Sequence, residues 1–98
     1  MFRHVVMFKW ADDVDEAHVA AVAAGLDSLV GVIPEIKVYR HGPDAGVNAD
    51  NFDYVVVGDF DSVDDYLVYR DHPTHQEFIR NLIVGRVAAR AAVQYALD

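Results

Sequence analysis

Three observations predict an α+β sandwich, with an antiparallel sheet covered by helices on one face. Apolar residues alternate with period two near both ends and in the middle of the chain. Segments with three- and four-residue apolar spacing lie between them. The elements come in the order β-α-β-β-α-β. The chain has 98 residues, with no internal repeat, low-complexity tract or linker, so we read residues 1–98 as a single domain.

From Phe2 to Trp10 the chain sets Phe2, His4, Val6, Phe8 and Trp10 on one face and Arg3, Val5, Met7 and Lys9 on the other, which is a strand apolar on both sides at its centre. The carboxylates of Ala11-Asp12-Asp13-Val14-Asp15-Glu16 then mark a helix start, because negative charge is favoured at the unpaired N–H groups there. We expect the cap at Asp12 or Asp13. Val19, Val22, Ala23, Leu26, Leu29 and Val30 form the stripe that this helix buries before it ends near Gly31.

After Pro34, Ile36 to Gly42 reads as a second strand. The stretch from Gly42 to Asn51 is dense in turn residues, and Phe52 to Phe60 reads as a third strand, paired with the second as a hairpin. Asp61-Ser62-Val63-Asp64-Asp65 opens a short helix running to about Tyr69. Pro73, suited to a first helical position, opens another to about Val84, so the second helix is broken at Asp71-His72. Val87, Ala89, Ala91, Val93, Tyr95 and Leu97 make the final strand. This arrangement is ferredoxin-like.

Composition narrows the function. Hydrophobic residues make up 53% and charged residues 24%, which excludes a disordered acidic chain, and with Cys 0 there is no disulfide scaffold, thiol nucleophile or thiolate-bound metal. A formal charge of −8 repels a phosphate backbone, so nucleic acid is not expected as a partner. The longest apolar runs are too short for a membrane span and the N-terminus runs straight into a strand pattern, so we expect no membrane association and a cytoplasmic location.

The sheet needs a second cover. Whichever face of the first strand meets the helices, the opposite one leaves a large apolar patch on a lone chain. The alanine-rich last strand would also be a bare edge. Two protomers closing their sheets into a dimeric α/β barrel would satisfy both demands, so the expected partner is a second copy.

Proton-transferring side chains concentrate in Tyr66-Leu67-Val68-Tyr69-Arg70-Asp71-His72-Pro73-Thr74-His75-Gln76-Glu77-Phe78. Pro73 favours an extended His72, which lets Tyr69 at the end of one helix and His75 in the first turn of the next share one cleft. A neutral His75 could take a proton next to a carbonyl while the Tyr69 hydroxyl bonds the developing oxyanion, with no metal or organic cofactor required. The plainer alternative makes His75 a first-turn residue bonded to nearby backbone, His72 only the boundary residue before Pro73, and His4 a satisfied core histidine. His72-x-x-His75 flanks a helix start and has no evident third ligand, so no metal site is expected.

The chain resembles the stress-responsive dimeric α/β-barrel (Dabb) family through Arg3-His4-Val5-Val6-Met7-Phe8-Lys9, Gly31-Val32-Ile33-Pro34, Asp53-Tyr54-Val55-Val56-Val57-Gly58-Asp59-Phe60 and, most compactly, Tyr69-Arg70-Asp71-His72-Pro73-Thr74-His75. The resemblance implies a ferredoxin-like protomer, a homodimer, and a cavity between sheet and helices. Some members are polyketide cyclases with a Tyr and a His in that cavity. Their positions match Tyr69 and His75 here, with His4 on the first strand, while a further cavity histidine of those cyclases falls on Tyr54. The expected function is therefore binding of a small hydrophobic or aromatic molecule near Tyr69 and His75, with His4, Tyr54 and His72 as contacts. Cofactor-independent cyclase, isomerase or lyase chemistry would accompany it, against the alternative of a non-catalytic carrier or a structural dimer.

Overall fold

Strand β1 runs from Phe2 to Trp10, as its alternation predicts, and lies inside the sheet, paired along both edges. The structure is a computed structural model that describes residues 1–97. After β1 come α1 (Glu16–Val30), β2 (Val38–Pro43), β3 (Tyr54–Phe60), α2 (Val63–Asp71), α3 (Pro73–Leu82) and β4 (Val87–Ala96). The strands form one antiparallel sheet in the order β2-β3-β1-β4, which with helices on one face is the ferredoxin-like fold. Among the described residues no helix is long and apolar enough to cross a membrane.

Several boundaries differ from the sequence expectation. The cap of α1 is Asp15, not Asp12 or Asp13. Asp15 is the residue with extended backbone, and its Oδ1 accepts from the His18 N–H at 2.9 Å, while Asp12 and Asp13 sit in a turn closed by Val14 N–H to the Ala11 carbonyl. Strand β2 begins at Val38 because Ile36 is still in the turn after α1, bonded through its N–H to the Ile33 carbonyl. It extends through Pro43, which as an edge residue has no ladder bond to lose. Strand β3 begins at Tyr54 instead of Phe52, and α3 stops at Leu82, short of Val84, before Gly85 at φ +78 turns the chain into β4.

One face of the sheet presents His4, Val6 and Phe8 from β1 with Tyr54, Val56 and Phe60 from β3. These pack against Val22, Leu26 and Leu29 of α1 and Tyr66 and Tyr69 of α2. The other face carries two apolar cross-strand rows, Val57-Val5-Val93 and Val55-Met7-Ala91, with Met7 37% and Val93 60% exposed. Beside them Arg3 donates from Nε and Nη2 to Asp59 at 2.7 and 2.9 Å and from Nη1 to the Tyr95 hydroxyl at 3.3 Å. That bonding holds the Asp59 carboxyl below the ordinary carboxylate range. Among the described residues of one chain nothing covers the apolar rows.

Candidate functional site

The break between α2 and α3 builds the site. His72 has φ −59 and ψ 132, the extended geometry that a following proline favours, and its Nδ1 accepts from Thr74 N–H at 3.1 Å, which caps α3. The first turn of α3 then bonds back to the end of α2. The Arg70 carbonyl, one of those a helix end leaves unpaired, accepts from His75 Nδ1 at 3.0 Å and from Gln76 Nε2 at 2.6 Å. These bonds hold the His75 ring stacked on Tyr69, with centroids 4.2 Å apart.

The backbone bond foreseen as the plain alternative for His75 therefore exists, and it has a chemical consequence. Because Nδ1 donates to a carbonyl, the neutral ring carries its proton there and its lone pair on Nε2. Every buried side-chain nitrogen and oxygen among the described residues has a partner, whereas Nε2 has none, so it opens onto accessible space. Burial lowers the His75 pKa from its ordinary value and keeps the ring neutral near pH 7.

His75 lines a cavity of about 250 Å³ between the sheet and the helices, together with His4, Tyr39, Tyr66, Tyr69 and Arg90 among others. His4 is 4% exposed and lies against the Tyr66 ring at 4.9 Å. Its Nδ1 accepts from Gln94 Nε2 at 2.9 Å, which leaves the proton on Nε2. Burial, then the charges of Arg90 and His75, push the His4 pKa down to about 4, so this ring too is neutral. The cavity thus combines an imidazole acceptor with an imidazole donor.

A phenol pair completes it. The Tyr39 and Tyr69 hydroxyls are 2.6 Å apart, and burial raises both pKa values, that of Tyr69 to about 12. One proton bridges the two oxygens, and the other is available to an acceptor. Tyr39 was not foreseen from the sequence. Its signal lay in the hairpin register, which sets it opposite Gly58, itself opposite His4. A Cβ on Gly58 would come within 3.1 Å of the Phe60 ring and 3.3 Å of the Tyr39 ring, so glycine makes room for the aromatic floor.

Of the residues expected at the site, His4, Tyr69 and His75 are brought together, while Tyr54 and His72 do not line the cavity. The buried Tyr54 hydroxyl instead bonds His41 Nδ1 at 2.7 Å, and His41 Nε2 donates to Asp27 Oδ1 at 2.7 Å, a separate array tying β3 to β2 and α1. His72 is engaged in capping. Among the described residues no group of three or more His, Cys, Asp or Glu side chains is placed to hold a metal ion.

Comparison with known proteins bears on this arrangement. Residues 2–97 match the model of the stress responsive A/B barrel domain. A dimeric ferredoxin-like protein of unknown function from Thermobifida fusca is similar at 41% identity and TM-score 0.91, covering 98% of this chain and 90% of that one. A hydroxynitrile lyase from Passiflora edulis is similar at 23% identity and TM-score 0.86, covering 99% of this chain and 93% of that one. A Dabb family protein with a ferredoxin-like fold from Mesorhizobium loti is similar at 19% identity and TM-score 0.81, covering 98% and 95%. The last two likenesses show the fold alone. No curated protein matches the chain.

Proposed function

Because the chain belongs to the stress responsive A/B barrel domain family, we propose that it works as a cytoplasmic homodimer that binds a small hydrophobic or aromatic carbonyl compound in the cavity and moves a proton on it without a cofactor. One observation carries the reading: His75 is held in the tautomer that leaves Nε2 bare, against a phenol pair that stays protonated. In this reading Nε2 removes the proton α to the carbonyl. Tyr69, supported by Tyr39 and with His4 Nε2–H nearby, donates to the oxygen as negative charge builds. The resulting enolate serves aldol-type ring closure, isomerisation or carbon–carbon cleavage.

The test is proton exchange, which does not require the natural substrate. Acetophenone incubated with the wild-type protein in D2O loses its α-proton signal in NMR faster than in buffer alone. Binding without exchange would favour a carrier for such ketones, and absence of both would overturn the reading.

The homodimer is supported by the bare Val5, Met7 and Val93 rows and by the dimeric state of the Thermobifida fusca relative. Sedimentation at micromolar concentration should show a particle of two chains. A single-chain species alone would refute the pairing.

A further inference from the structure

The chain carries eight more acidic than basic side chains, yet the charged groups lining the cavity are Arg70 and Arg90, with no carboxylate among them. The two arginines are not equivalent. Arg70 donates from Nε and Nη2 to Asp71 at 2.9 and 3.1 Å and is neutralised there. Arg3 is likewise engaged by Asp59, Lys37 by Asp61, and Arg86 by Asp13. Arg90 has no ion pair and no side-chain hydrogen bond among the described residues.

Its place is fixed by register. Arg90 stands opposite Phe8, so its side chain leaves β4 on the face that carries His4 and Val6, at the side of the cavity where Ala92 and Gln94 are exposed. An unpaired guanidinium beside an apolar chamber in an otherwise acidic protein is a planar fork of donors without an acceptor.

We propose that Arg90 receives the carboxylate of the ligand, so that the molecule held in the cavity is a single-ring or short-chain hydrophobic acid whose apolar part lies between sheet and helices and whose carboxylate sits at the β4 side. This rests on the cavity being the binding site, as proposed above, and adds the class of ligand. The guanidinium matches a carboxylate bidentately, and the apolar walls of Val6, Phe8, Ile79 and Ile83 suit the remainder. A cavity of about 250 Å³ admits a molecule of that size. The general acidity of the surface repels the same anion elsewhere, which makes Arg90 selective.

The experiment compares 4-phenylbutyrate with the uncharged 4-phenylbutyramide by calorimetry on the wild-type protein, Arg90→Gln and Arg80→Gln. Arg80 lies on the exposed side of α3 and serves as the control. The acid should bind wild type about tenfold to a hundredfold more tightly than the amide, and added salt should shrink that ratio. Arg90→Gln should bring the ratio near one by weakening the acid alone, whereas Arg80→Gln should preserve it. Equal binding of acid and amide to the wild type, or a ratio unchanged in Arg90→Gln, overturns the assignment while leaving the cavity as a binding site. If neither probe binds, both readings fall.

Discussion

Replacing His75 with glutamine should lower ketone proton exchange by about 10²- to 10⁴-fold while changing ketone binding only a few-fold, the range that a positioned base supplies. Glutamine can still donate an N–H toward the Arg70 carbonyl and fill much of the ring's volume, so the break between the helices keeps its geometry. What it lacks is a lone pair basic enough to take the proton. The pH profile separates this from a merely structural effect. Since burial holds the His75 pKa below its ordinary value, wild-type exchange should be flat around neutrality and fall only on the acid side of about pH 6.5. No fall should follow through the mildly alkaline range, because the Tyr69 hydroxyl keeps its proton to about pH 12. An alkaline limb between about pH 7 and 9 would assign the donor to some other group, and full exchange in His75→Gln would remove His75 from the chemistry.

The extent to which this site could be read in the sequence follows from how local each feature is. Alternation fixed the faces of β1, and Pro73 set the break that joins Tyr69 to His75, since both depend on neighbours a few residues away. The cap of α1 was displaced to Asp15 because three nearby aspartates offered similar chemistry, and only the turn at Ala11–Val14 decides among them.

Tyr39 and Arg90 escaped notice for a different reason. Each reaches the cavity through cross-strand register, Tyr39 by lying opposite Gly58 and Arg90 by lying opposite Phe8, and register is a tertiary quantity. Tyr54 illustrates the converse. It shares a face with Val56 and Gly58 and stands opposite Phe8, which does line the cavity, but its hydroxyl is taken by His41, itself bonded to Asp27. A matching position in a family pattern told which face it occupies, not which partner takes its hydroxyl.

The remaining large effect is on stability, and its sign comes from the two buried imidazoles. His4 titrates near 4 in the folded chain against about 6.5 when unfolded, so between those values the unfolded state binds the extra proton. Stability from the neutral ring is therefore complete above about pH 6.5 and drains away as the pH falls toward 4, by on the order of 3 kcal/mol for His4, with His75 acting in the same direction. That is a substantial share of the 5–15 kcal/mol typical of a domain. The lowered carboxyls of Asp59, Asp44 and Asp71 lose their contribution only at lower pH still, which leaves this window to the histidines. Urea unfolding at fixed protein concentration, taken at pH 7, 6, 5 and 4, should show the decline in wild type and a shallower one in His4→Phe, whose ring keeps the contact with Tyr66 but has no proton to gain. Parallel curves for the two proteins would mean that His4 is hydrated well enough to titrate normally. His4 would then become a cation in mild acid, and the pair of neutral imidazoles assigned to the cavity would hold only above about pH 6.5.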